Sequence, residues 1–241
     1  MNYFTFILLS CLLSVVAVRP ASGQAALLVL IFGNKIASEK FHLSIDAGLN
    51  YTAMPGYGEG KARFGINFGL GTHYKLSERW FLAPEFKPLN WKGLRDVQES
   101  FTLPPVISGD RVSSRFRMNY IDVPLLVQYR FPSNFYVSAG PQVSFLTSAK
   151  QLTKVKLDDG LVIDVTQDIR DAFKSVDISF PFEVGYAFKN TFAGRGFDIR
   201  LRYAFSLANV LSDADDPRTV RHSNLQFILT LPFVVTEEQK D

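Results

Sequence analysis

Arginines at 200 and 202 flank Leu201 in a segment whose remaining alternate positions are Phe197, Ile199, Tyr203 and Phe205. Charged residues in the same alternating, apolar setting recur along the chain at Asp46, Arg63, Glu85, Lys87, Asp122, Arg130, Asp177, Glu183 and Asp198. Acids and bases nearly balance. Two chemistries are open to such a set when it shares one enclosed face. The groups can neutralise one another as an ionic core, since a buried charge must be paired, or they can relay protons or ions.

Other motifs carry weaker chemistry. Gly56 to Lys61 reads GYGEGK, but Pro55 stands where a phosphate loop has its first glycine, and Ala62 follows the lysine where Ser or Thr would meet magnesium. It is expected to be a loop between strands. His42, His73 and His222 have no metal-ligand spacing, and no metal or cofactor is expected. His222-Ser223 could suggest a lipid-modifying enzyme, yet adjacent strand residues point to opposite faces, which separates a nucleophile from its base. Arg111, Arg115, Arg117, Arg218 and Arg221 fall near long connections. They suit contacts to lipopolysaccharide phosphates as well as an ordinary solvated rim. Asp213, Asp215 and Asp216 form a calcium-like cluster that reads mainly as solvated loop.

The elements that must position these groups are strands. From Phe41 onward apolar residues alternate with polar or small ones, the period of a half-buried strand. Phe41, Leu43, Ile45, Ala47, Leu49 and Tyr51 oppose His42, Ser44, Asp46, Gly48 and Asn50. Phe64, Ile66, Phe68, Leu70 and Tyr74 oppose Arg63, Gly65, Asn67, Gly69, Gly71 and His73. A third strand is expected at Trp80 to Lys87, a fourth at Met118 to Phe131, a fifth at Phe135 to Thr147 and a sixth at Val176 to Phe188. A seventh carries Phe197 to Phe205 and an eighth Asn224 to Phe233. Pro84, Pro124, Pro141 and Pro181 lie inside these strands, so each predicts a bulge or kink that would shift facing parity beyond it.

Connections alternate in length. Ser77-Glu78, Pro132 to Asn134 and Asn190 to Gly196 are short, whereas Trp91 to Arg117 and Ser148 to Ser175 are the longest of the others. Short periplasmic turns and longer outer loops are the pattern of an outer-membrane barrel, with both termini periplasmic when strand number is even. Aromatic residues bracket the short turns, as at a headgroup boundary. The expectation is an all-β, eight-stranded antiparallel up-and-down transmembrane β-barrel with a short N-terminal helical segment. A soluble ligand-binding barrel would invert the facing, apolar inward and polar outward.

Composition agrees. Of 241 residues 14% are aromatic, with 22 Phe and 9 Tyr, an excess that calls for exposed apolar surface. Net charge is +3 without basic runs, which argues against nucleic acid as a partner. Tyr3 to Val18 is apolar and Ala21-Ser22-Gly23 offers a cleavage site, so residues 1–23 read as an export signal carrying away Cys11, the sole cysteine. Residues 24–40 form a short apolar N-terminal segment, 41–233 the barrel and 234–241 a C-terminal tail. A monomer in the Gram-negative outer membrane, touching lipid, lipopolysaccharide and envelope protein partners, is the expected setting.

These strands resemble the small outer-membrane β-barrel family of Bacteroidota that includes PorT-like proteins. The resemblance rests on Ala26 to Gly33, on Tyr120-Ile121-Asp122-Val123-Pro124-Leu125-Leu126, on Ala139-Gly140-Pro141, on Arg202-Tyr203 and on Leu207-Ala208-Asn209. It implies an eight-stranded barrel without an assigned activity that tolerates proline in its fourth and fifth strands. Phe233 followed by Val234 to Asp241 departs from the terminal aromatic of many such barrels, which implies a periplasmic tail or a different register in the last strand. The leading functional expectation is a non-enzymatic barrel with interacting outer loops. The alternatives are a PorT-like accessory of secretion and gliding, a lipid-modifying enzyme and a narrow channel.

Overall fold

A computed structural model of the chain describes residues 41–97, 110–157, 160–192, 195–213 and 216–232. The expected signal peptide, the N-terminal segment with its helix and the C-terminal tail lie outside the described residues. Eleven strands are present among those described: β1 (Phe41–Ala53), β2 (Lys61–Lys75), β3 (Trp80–Lys92), β4 (Leu94–Arg95), β5 (Asp110–Arg130), β6 (Phe135–Ala139), β7 (Gln142–Lys156), β8 (Val162–Asp168), β9 (Val176–Phe192), β10 (Arg195–Ser206) and β11 (Ser223–Pro232). Every pairing is antiparallel. The ladder runs from β1 through β2 and β3 to β5, then to β6 and β7 in line, to β9, β10 and β11, and β11 pairs back onto β1 from Ser44↔Pro232 to Ala53↔Ser223. The wall therefore has no free edge along this path, so its backbone groups can be satisfied without water.

Facing follows the alternation. Leu49, Tyr51, Phe64, Ile66, Val123, Leu125, Val127, Phe182, Val184, Leu201, Leu225 and Phe227 are exposed on the outside, while Ser44, Asp46, Asn50, Asn67, Glu85, Asp122, Gln128, Glu183, Arg200, Arg202 and Gln226 are buried within. Apolar residues outward and polar residues inward suit a hydrocarbon surround. Aromatic rings at the short-turn end touch in series, Trp80 with Tyr129 at 4.9 Å, Phe135 with Tyr186 and Phe188 with Phe197 each at 4.7 Å. A second group, Tyr51 with Phe64 and Phe180 with Phe182, lies toward the long-loop end.

The long connections differ from expectation. Much of Trp91 to Arg117 and Ser148 to Ser175 is strand, in β4, the first part of β5, the end of β7 and β8. A bilayer crossing needs about 9–11 residues, and β5 has 21, so the wall continues beyond the lipid. There its polarity reverses. Below Tyr120, β5 points Val123, Leu125 and Val127 outward and Asp122 and Gln128 inward; above it, Ser113, Arg115 and Arg117 point outward and Phe116 and Met118 inward. The surround has changed from hydrocarbon to water, and the buried face has changed with it.

Of the disruptions expected at the prolines, one occurs: the strand breaks at Gly140-Pro141 between β6 and β7, while no bulge falls at Pro84, Pro124 or Pro181. Register is continuous through Pro84↔Leu125, Pro124↔Gln142 and Pro181↔Ala204, and Gly140-Pro141 interrupts the strand without changing facing. The carbonyls of three of these prolines stay bonded: Pro84 O accepts from Thr72 Oγ1 at 3.0 Å, Pro141 O from the Leu125 N–H at 2.9 Å and Pro181 O from the Gly140 N–H at 3.4 Å. The bulge in the third strand falls instead between Lys87 and Asn90, at Pro88-Leu89.

Inside the short-turn end the ring of Tyr136 lies flat over Gly185, where a Cβ would stand 2.3 Å from the ring. Gly185→Val is expected to destabilise the protein by roughly 1–3 kcal/mol, the cost of overpacking, measured as urea unfolding in detergent micelles. In a Tyr136→Ala background most of that cost should disappear.

Candidate functional site

The most densely charged part of the interior is a knot of three acids and three bases drawn from β1, β3, β9 and β10. Register sets Arg202 directly across from Glu183, while Glu85 reaches them from the far side of the lumen. Arg202 Nη2 stands 2.6 Å from both Glu85 Oε1 and Glu183 Oε2, its Nη1 donates to Glu85 Oε2 at 2.8 Å, and its Nε donates to Glu183 Oε2 at 2.8 Å. Arg200 spans Glu85 Oε1 at 2.6 Å and Asp46 Oδ2 at 2.5 Å. Lys87 Nζ completes the group 3.3 Å from Glu85 Oε2, with its stem over Gly69, where no Cβ could fit. Thr230 Oγ1 donates to Asp46 at 2.8 Å and Ser138 Oγ to Glu183 at 3.3 Å. Forked guanidinium contacts of this kind are strong and directional, and they close the lumen by filling it.

Of the expected ionic set, then, Asp46, Glu85, Lys87, Glu183, Arg200 and Arg202 are gathered in one place. Asp122 belongs to a second cluster with Lys92 at 3.5 Å, Gln142 at 3.0 Å and a short bond from Asn90. Lys92 is absent from the sequence-based set. The bulge at Pro88-Leu89 reverses parity beyond Lys87, turning Asn90 and Lys92 inward, and counting alternate positions from Glu85 assigns Lys92 to the outside. Arg130 and Asp198 lie toward the short turns, Arg130 stacked on Phe81 at 4.4 Å and Asp198 accepting from Tyr136 Oη at 3.0 Å.

Arg63 is a correction. It is half-buried at the long-loop end, donates to the Phe116 carbonyl at 2.9 Å, and meets the like charges of Arg115 and Arg117 rather than the knot. Asp177 is also unlike expectation: it accepts from Ser206 Oγ at 2.8 Å instead of forming an ion pair.

Ser206, Asp177 and His222 adjoin one another, but the His222 backbone N–H, and not its ring, reaches Ser206 Oγ, at 3.1 Å. The ring nitrogen Nε2 lies 3.0 Å from Tyr120 Oη. Neither serine is activated, since Ser223 faces the other side beside Tyr203 Oη at 3.0 Å. Among the described residues no three His, Cys, Asp or Glu side chains converge as metal ligands. The GYGEGK segment is a turn, with Gly56 and Gly58 at positive φ.

Above these polar layers the interior becomes apolar. Met54, Tyr57, Leu94, Val97, Phe116, Met118, Leu146, Phe173, Val210, Leu211 and Val220 form one buried cluster, with Tyr57 and Phe173 edge-on to Phe116 at 5.1 and 6.2 Å. Arg218 pins this cap: it stacks on Tyr57 at 5.1 Å and pairs with Asp216 at 2.6 Å. That hydrogen-bonded guanidinium holds the Asp216 carboxyl down at about 2. Of the arginines expected to meet lipopolysaccharide, Arg218 is thus engaged within the chain. Arg115, Arg117 and Arg221 are exposed, and the Arg111 side chain is outside the described set.

A family model described as outer membrane protein beta-barrel domain matches residues 33–212. No curated protein sequence matches the chain significantly. Among solved structures, Neisserial surface protein A is similar at 13% identity and a TM-score of 0.40, covering 79% of this chain and 96% of its own. Ail of Yersinia pestis, solved with the heparin analogue sucrose octasulfate, is 13% identical with a TM-score of 0.40 and coverage of 80% and 98%. OprG of Pseudomonas aeruginosa is 12% identical with a TM-score of 0.36 and coverage of 80% and 93%.

Arg202→Leu, which leaves two buried carboxylates short of a partner, is expected to cost about 3–5 kcal/mol in urea unfolding. Arg202→Leu combined with Glu183→Leu keeps Arg200 and Lys87 against Asp46 and Glu85 and should cost distinctly less. For the cap, a carboxyl held below its unfolded value stabilises above about pH 4, and that contribution fades as pH falls toward 2. Asp216→Asn should therefore lower the melting temperature at pH 6 and match the unaltered protein near pH 2.

Proposed function

Because the chain belongs to the outer membrane protein beta-barrel domain family, we propose that it is an eight-stranded transmembrane barrel that acts through its long-loop end and not through its lumen. The observation that carries this is the filled interior, with the ionic knot at mid-height and the apolar cap above it. An eight-stranded barrel is just wide enough for side chains to fill it. In this reading the short turns and both termini are periplasmic, and the extensions of β5, β7 and β8 stand outside the cell as a platform for partners.

The interior also bears on the competing roles. A relay needs groups that change partners, whereas Arg202 is held by two carboxylates and Arg200 by three. A lipid-modifying enzyme needs a nucleophile beside a base at the rim, and His222 and Ser223 have separate partners on opposite faces. The PorT-like version, an accessory of secretion in Bacteroidota, is the finer form of the same proposal. It draws support from Tyr120 to Leu126, the stretch of β5 where the wall passes from apolar to polar interior.

Separated inner and outer membranes, run unboiled and boiled on denaturing gels, should give a faster unboiled band in the outer membrane. The purified protein in planar bilayers should give no stepwise conductance. A soluble periplasmic protein without a shift would overturn the barrel reading, and steady single-channel steps would overturn the plugged lumen.

A further inference from the structure

Four arginines gather where β2, β4 and β5 rise past Phe64 and Trp91, with Arg95, Arg115 and Arg117 exposed on the outside and Arg63 half-buried in the wall beside them. Arg95 lies directly across from Arg115, and its own Nε is tied to the Ala62 carbonyl at 3.0 Å. Arg117 is the next outward residue on β5, its guanidinium 6.0 Å from the ring of Trp91 and its partner across the ladder Lys150. Arg63 reaches the same spot through the Phe116 carbonyl, close enough for Arg115 and Arg117 to press their charge on it.

Like charges directly opposite each other on neighbouring strands are destabilising, and among the described residues no carboxylate relieves them. Among the described residues none of the four is ion-paired; the nearby Asp96 is taken by Lys61 at 3.3 Å. Arg63 and Arg95 each donate to one backbone carbonyl and Arg117 lies over a ring, which leaves further N–H donors on each guanidinium.

The height of the cluster selects its counter-ion. Trp91 and the fully outward Phe64 adjoin it, and such rings mark the boundary between hydrocarbon and headgroups. Below lie Ile121 and Val123, which face hydrocarbon; above lies water. Guanidinium forks at that level match phosphate oxygens two at a time. We infer that Arg63, Arg95, Arg115 and Arg117 form a binding site for the phosphate groups of an outer-leaflet lipid headgroup. The assignment rests on the proposed orientation, with the long-loop end outside.

Protein purified in detergent is titrated with diphosphoryl lipid A, with its dephosphorylated form and with inorganic phosphate, following the fluorescence of Trp91 with Trp80→Phe as background. Diphosphoryl lipid A should bind, Arg115→Gln/Arg117→Gln should weaken it at least tenfold, and Arg218→Gln should leave it unchanged. Arg115→Lys/Arg117→Lys, which keeps charge but loses the forks, should fall between. Equal binding by the glutamine variant or by dephosphorylated lipid A would overturn the site. Competition by inorganic phosphate at matching concentration would overturn the lipid assignment in favour of a free-anion site. The gel shift of each unboiled variant reports folding separately, and protease cleavage of β8 in whole cells reports orientation. A folded, correctly oriented variant with undiminished binding thus counts against this site alone.

Discussion

Hydrocarbon offers a backbone no hydrogen bonds, so a sheet placed in it must return upon itself. Here that condition is met by the β1–β11 ladder, ten register pairs long, which joins the two ends of the described chain. Closure fixes more than the outline. Once β10, β11, β1, β2 and β3 are consecutive, Arg202 and Glu85 stand on opposite sides of a narrow lumen, within reach of one another although 117 residues apart. Mixed charges can be buried because the ring delivers acids from three strands to two arginines on a fourth.

What lies outside the ring governs its two faces. Within the lipid, the apolar side chains find their favourable surround outside and the polar ones find partners only inside. Beyond the lipid, the same alternation along β5 serves the opposite purpose, with Phe116 and Met118 inside and Arg115 and Arg117 outside. The lower part has the facing of a membrane barrel and the upper part the facing of a soluble sheet, joined in single strands. The extra residue on β7 opposite the Asn119/Tyr120 step lies at this junction. It lets Leu146 and Ala149 both face the apolar cap, which strict alternation forbids.

The period-two pattern made the strands and most of the interior legible. Asp46, Glu85, Lys87, Asp122, Glu183, Arg200 and Arg202 all face inward as alternation requires. Where the sequence misled, the cause was bulge placement. Proline suggested a bulge at 84, 124, 141 and 181, yet inward and outward facing run unchanged through all four. The bulge came at Pro88-Leu89, hiding Lys92 from a count by twos. The outer extensions were missed for a different reason: with polar outward and mixed inward residues, Ser148 to Ser175 carries the composition of a loop, and only pairing of β7 with β5 and β8 makes strands of it. Arg63 has inward parity, but its long side chain bends to the wall, an outcome fixed by the Phe116 carbonyl and invisible in spacing.

The same residue type thus meets its charge in two different ways. In the interior, Arg200 faces three carboxylates of the chain and Arg202 two. Arg95 and Arg115, exposed on the outside, lie opposite each other and, among the described residues, pair with no acid. A fold that surrounds its buried arginines with acids while setting exposed ones opposite each other directs attention to the surface. There an outside anion can supply what the chain withholds, and stability gained by binding it is available only once the barrel is inserted at the right height.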